Sequence, residues 1–131
     1  MQTRLLVVQK HVIEEIAKTG KDCVIVGRNA DVLLADKKPF CIFVCAGMDA
    51  KIRRCMERAL EENITRREVE QNIRRIDRAR AKTRELLGGS KWGKGSAYHL
   101  TVNTEGWDME KLASAVMTIL FIAMKRKKYN Y

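Results

Sequence analysis

One proline, two histidines and eight glycines in 131 residues leave little room for several kinds of protein. Collagen, mucin stalks and flexible linkers all need far more proline or glycine. Long apolar runs are missing as well. The best candidate, Leu112 to Met124, spans 13 positions and contains Ser114 and Thr118, whereas a membrane span needs about 20 apolar residues. Near the N-terminus, Leu5 to Val8 is too short for a secretory core, and no small-residue cleavage site follows it. A cytoplasmic protein without a membrane partner is therefore expected. Acidic residues are also scarce: 16 against 26 Lys and Arg, a net charge of +10.

The 46% hydrophobic and 32% charged content belongs to a globular chain. Its length fits a single domain over residues 1–131. The four cysteines, Cys23, Cys41, Cys45 and Cys55, contain no Cys-x-x-Cys. Cys41 and Cys45 on one strand would stand about 13 Å apart at roughly 3.3 Å per residue, too far to share a zinc ion. His11 and His99 lie outside any ligand spacing. Reduced, buried thiols and no metal site are the expectation.

The order of elements argues for α/β architecture. Leu6 to Thr19 reads as a helix, with Val8 or Val12, Ile13 and Ile16 near helical spacing and Gly20 as its stop. Cys23 to Val26 reads as a first strand, closed by Gly27-Arg28. Phe40 to Cys45 reads as a second. It is apolar at every position, so both faces should be buried, as in the middle of a parallel sheet. Asp49 is placed as the cap of a helix carrying Ile52, Met56 and Leu60 on one side. Thr65-x-x-Glu68 is a capping box opening a longer helix with Val69, Ile73 and Ile76 as its stripe, stopped by Gly88-Gly89. His99 to Val102 is a third strand, and Asp108 starts a last helix with Leu112, Val116, Ile119 and Ala123 inward. That helix ends in the basic run Lys125 to Lys128, which complements its dipole.

Chemistry is densest between Arg66 and Arg84. Arg66, Arg67, Arg74, Arg75, Arg78, Arg80, Lys82 and Arg84 face only Glu68, Glu70 and Asp77 there. The bias toward Arg suits phosphate, because a guanidinium forks onto two oxygens and never loses its charge. Arg74 with Arg78, and Arg80 with Arg84, stand four apart and can converge on one anion. A solvated helix face explains the same charges. Gly27-Arg28 is a second candidate, since ligands of open α/β sheets bind beyond the carboxyl ends of strands. An ordinary surface Arg after a turn glycine is the plain alternative.

Val24-Ile-Val-Gly-Arg-Asn-Ala-Asp31-Val-Leu-Leu-Ala-Asp36 resembles the central segment of the cytidylate kinase-like family of P-loop nucleoside monophosphate kinases. The resemblance continues through Phe40–Cys45, Arg53-Arg54-x-Met56-Glu57-Arg58, the Asp77-x-x-Arg80 pair, Gly89-Ser-Lys-Trp92-Gly93, Tyr98 and Asn103-Thr104. It implies an Arg-rich helical lid at about residues 64–88 and phosphoryl transfer from ATP with Mg²⁺ to a nucleoside monophosphate, CMP being the candidate acceptor. By that resemblance Arg28 would hold the acceptor's phosphate, with Asn29 near its base where cytidylate kinases place an Asp, and Asp31 would also bind the acceptor. Asp77 would lie near the acceptor and Arg80 on the transferring phosphates, with Arg74 and Arg78 as lid neighbours. Asn103 and Thr104 would lie near the adenine. Glu85-Leu86-Leu87, Lys94 and His99 depart from the family pattern, in the last two cases where an Asp is usual.

One motif is missing. No Gly-x-x-x-x-Gly-Lys-Ser/Thr occurs, so the phosphate cradle of such kinases has no counterpart. The family's first strand, which carries that loop, lies between the strands matching Cys23–Val26 and Phe40–Cys45. Without it, buried backbone groups on either side lose partners at about 1–3 kcal/mol each. The expectation is therefore an incomplete three-stranded parallel sheet with flanking helices: the C-terminal portion of a nucleotide kinase-like fold, as a truncation. It should bind ATP and Mg²⁺ poorly and not turn over by itself. Its sheet would be completed by a missing N-terminal segment or by a homo-oligomer.

Two readings from other classes stand beside the kinase. The basic helix and tail could bind nucleic acid, and some polyanion binding at low salt follows from the charge alone. However, the two Trp, three Tyr and three Phe are not interleaved with the basic helix as a stacking platform requires. The incomplete sheet could instead serve as a non-catalytic assembly module.

Overall fold

The structure, a computed structural model, describes residues 2–59 and 63–126. Among the described residues there are five α-helices: α1 (Gln2–Lys18), α2 (Ala30–Leu33), α3 (Met48–Arg58), α4 (Arg66–Leu86) and α5 (Met109–Arg126). Two strands, β1 (Ile42–Cys45) and β2 (Leu100–Asn103), form a parallel pair in which Ile42 faces Leu100 and Cys45 faces Asn103. Two compact units result: residues 1–39 with 80–92, and residues 40–79 with 93–131.

The first unit contains α1 and α2, which pack on each other, and the end of α4. Helix α1 stops at Gly20, whose φ of +67° suits a residue without a Cβ. Of the expected apolar stripe only Ile13 is buried; Val8, Val12 and Ile16 are exposed. Gly88 and Gly89 close α4 with a left-handed Schellman cap. Gly88 has φ +76°, its N–H donates to Glu85 O at 3.0 Å, and the Gly89 N–H donates to Arg84 O at 3.0 Å.

Residues 23–26 correct the sequence reading. They form no strand, and Val24 and Val26 are 88% and 87% exposed. Strand propensity describes how well a side chain fits a pleated, half-buried surface, and among the described residues no neighbouring strand provides one. The sheet therefore has two strands instead of three. A second correction concerns β1. None of its residues is fully buried and Val44 is 62% exposed, although every position is apolar. Nor are the thiols buried: Cys23 and Cys55 are exposed, and Cys41 and Cys45 are half-buried.

The second unit is organised around Ile52 on α3 and Val69 and Ile73 on α4, with Met48, Met56 and Ile64 packed against them. Ile76, the expected third member of the stripe, is exposed, and Leu60 lies outside the described residues, as do Lys127 and Lys128 of the basic tail. Helix α3 starts two residues earlier than expected. Gly47 is its N-cap and Asp49 falls in the first turn, where a carboxylate favours the helix dipole. On α5, Leu112, Val116 and Ala123 are half-buried while Ile119 is exposed. Asp108 does cap it, its Oδ1 accepting the Lys111 N–H at 3.0 Å.

The capping box of α4 forms as the sequence predicts. The Glu68 carboxylate accepts the Thr65 N–H at 2.8 Å and its hydroxyl at 2.9 Å, while Thr65 Oγ1 accepts the Glu68 N–H at 3.2 Å. The Thr65 N–H, and then its hydroxyl, hold the Glu68 carboxyl below its ordinary value. A depressed acid stabilises the fold above its unfolded value and loses that contribution as pH falls through the folded one. An NMR titration of Glu68 should report this lowered value, and Thr65→Ala, which keeps the backbone N–H and removes only the hydroxyl, should raise it part of the way toward that of an isolated glutamate. An unchanged titration in the variant would remove the Thr65 hydroxyl as a cause and leave the backbone N–H alone.

Candidate functional site

Gly27, Arg28 and Asn29 have φ of +69°, +59° and +53°. Three successive left-handed residues are unusual. Glycine adopts that region freely and Asn tolerates it, whereas Arg does so at a cost. The turn follows residues 23–26 and feeds directly into α2, with Gly27 O accepting the Ala30 N–H at 3.3 Å and Asn29 O accepting those of Val32 and Leu33 at 3.0 Å. Arg28 is exposed and Asn29 half-buried.

Asp31, in the first turn of α2, pairs with Arg84 (Oδ2–Nη1 2.7 Å). Arg84 is 4% exposed, which no pattern in an Arg-rich run distinguishes from its neighbours. The expected convergence of Arg80 and Arg84 on one anion is therefore not available from Arg84, whose guanidinium is turned inward. Arg80 itself is exposed.

In the second unit, Asp77 forms an ion pair with Lys51 of α3 at 2.6 Å, both half-buried. Arg74 pairs with Glu70 one turn away at 2.8 Å, and Arg78 is exposed. At the end of β2, Asn103 Oδ1 accepts the Glu105 N–H at 2.9 Å. Thr104 is 4% exposed; its hydroxyl accepts from Arg54 at 2.8 Å and donates to Cys45 O at 3.4 Å. It thus ties α3 to the sheet.

His99 also has a defined part. Its Nδ1 accepts the Cys41 N–H at 2.9 Å while its backbone N–H donates to Cys41 O at 2.8 Å, and its ring stacks on Phe40 at 4.9 Å. A side-chain acceptor at this position is also what an Asp, the residue usual there in the family pattern, could supply. The sequence offered no signal for this role beyond that comparison.

No group of three His, Cys, Asp or Glu among the described residues could hold a metal ion. Nor does a glycine-rich turn open any described helix. The described residues thus offer neither a ligand cluster for Mg²⁺ nor a glycine-rich turn to cradle the ATP phosphates. Among the described residues no helix is long and apolar enough to cross a membrane.

A parallel strand pair flanked by helices makes this an α/β protein. The cytidylate kinase-like family model matches residues 1–106, and the chain belongs to that family. The crystal structure of an uncharacterized protein from Eubacterium ventriosum ATCC 27560 is similar in fold, with a TM-score of 0.76 at 23% identity. That likeness covers 87% of this chain and 63% of the other, so the chain spans less than two thirds of that structure's length. No curated protein matches.

Proposed function

We propose that the chain is the acceptor-binding part of a cytidylate kinase-like phosphotransferase, working in the cytoplasm, with CMP as the candidate acceptor. The observation that carries this is the left-handed Gly27-Arg28-Asn29 turn, which presents an exposed guanidinium inside the family-matched region. Arg28 receives the monophosphate, and Asn29 stands beside the base. Helix α4 serves as the lid, with Asp77 and Arg80 directed at the reacting nucleotides and Arg74 and Arg78 adding positive charge. Asn103 and Thr104 belong to the adenine side through backbone and shape, since both side-chain oxygens are engaged within the chain.

Phosphoryl transfer is mostly positioning and charge neutralisation. The β- and γ-phosphates need a backbone cradle that these residues do not form, so the phosphate loop, with ATP and Mg²⁺, is assigned to polypeptide beyond these residues. Calorimetric titration with CMP, AMP and inorganic phosphate tests the reading. CMP should bind at millimolar affinity or better, with phosphate weaker and affinity falling as salt rises. Absence of CMP binding at low salt would end the proposal.

A second reading, strand addition, is favoured by one observation: β1 is apolar throughout yet lies in a two-stranded sheet with Val44 exposed. Homo-oligomerisation or capture of an added strand at that edge would complete the sheet. The nucleic-acid reading draws less support. Arg66, Arg74 and Arg84 are each paired with a carboxylate, of Asp49, Glu70 and Asp31, which breaks the positive stripe.

A further inference from the structure

We propose that Arg84 is a positioning residue that fixes the Gly27-Arg28-Asn29 turn through Asp31, and that Asp31 is its partner and not a ligand to the acceptor. The proposal rests on the reading of Arg28 as the acceptor's phosphate contact. Three nitrogens of the Arg84 guanidinium are used. Nη1 donates to Asp31 at 2.7 Å, Nε to Ser90 O at 2.8 Å and Nη2 to Ser90 Oγ at 3.2 Å. Its side chain is 5% exposed. Surface ion pairs contribute little, but a buried guanidinium held by several charge-assisted bonds defines a geometry.

The turn needs such support. Helix α2 has four residues and no side-chain cap, so it does not hold itself together. A left-handed Arg persists where the surrounding structure over-determines it. Asp31 lies two residues beyond Asn29, and its carboxylate is the anchor point for α2. Arg84 is in turn fixed by the Schellman cap, because the carbonyl that receives the Gly89 N–H is its own. The fit is tight there: a Cβ on Gly89 would come within 2.8 Å of Val32 Cγ2 on α2 and 2.9 Å of Arg84 Cγ. Glycine at position 89 lets the end of α4 approach α2 closely enough for the pair to form.

Asp31→Asn and Arg84→Lys test this in the full chain by ¹H–¹⁵N NMR combined with CMP titration. Asn keeps the size of Asp31, and Lys keeps the charge of Arg84 without its fork. Both should shift the amide resonances of residues 27–30 and move the Arg28 HN–Hα coupling from its left-handed value. Resonances of Ile52 and Thr104 should stay in place, and CMP should bind about tenfold more weakly, the effect of misplacing one charge-assisted bond. If Arg84→Lys does not fold, Asp31→Asn decides alone.

An undisturbed turn in Asp31→Asn overturns the proposal. Weakened CMP binding with that undisturbed turn also overturns it, because Asp31 would then touch the ligand directly. Should the turn move while wild type fails to bind CMP, the positioning role stands and the acceptor reading of Arg28 falls. If CMP binding depends on Arg28 but neither the turn nor the affinity responds to Asp31→Asn, the acceptor reading stands and the positioning role falls.

Discussion

Ile52→Ala is expected to cost about 2–5 kcal/mol, the range for emptying a buried aliphatic site. Ile52 is 1% exposed and is the one fully buried large side chain among the described residues. It is where α3 meets Val69 and Ile73 of α4, so truncation leaves a cavity that Met48, Met56 and Ile64 fill only in part. Domain stabilities are typically about 5–15 kcal/mol, and few side chains here share the burden. Urea unfolding should show a lower midpoint at unchanged slope, the sign of lost stability without a changed unfolded state. Ile76→Ala on the same helix is the control. Ile76 is exposed, and its loss should fall within about 0.5 kcal/mol of wild type. Equal losses for the two variants would show that the second unit is not held at this cluster.

Local signals were legible in the sequence where the cause is local. The Thr65–Glu68 box, the Asp108 cap and the glycines that stop α1 and α4 each act within one turn of chain, and all four form. That the sheet is parallel followed from the order of strands and helices, but which two strands pair did not. Residues 23–26 were misread for the opposite reason: Val24-Ile-Val satisfies every strand preference, but a strand exists only where another chain segment accepts its hydrogen bonds. The same applies to the buried faces expected of β1.

At the candidate site, Gly27-Arg28 was singled out as the carboxyl end of a strand that residues 23–26 do not form, so only the turn glycine and the exposed Arg after it remain of that reading. The burial of Arg84 was not legible. Its environment is set by Asp31 and Ser90, far apart in sequence from each other, and one Arg in a run of Arg carries no sign of facing inward. Lys51 opposite Asp77 was hidden in the same way.

Arg28→Ala should weaken CMP binding by about 10- to 100-fold, corresponding to about 1.5–3 kcal/mol for a bond to a charged group. The variant isolates the guanidinium. Arg and Ala carry the same left-handed backbone cost at φ +59°, so the turn's strain does not change with the substitution. Arg28→Lys should recover part of the affinity, since a point charge attracts phosphate without the two-pronged geometry. Gly27→Ala separates the remaining variable. A Cβ at Gly27 meets nothing within 4 Å, so whatever it costs comes from φ +69° alone. Weak CMP binding in Gly27→Ala, with Arg28 intact, would place the site in the shape of the turn as well as in its charge. Equal affinity in wild type and Arg28→Ala would remove the turn from nucleotide binding altogether. The open edge of β1 would then be the feature of this chain with a partner still to find.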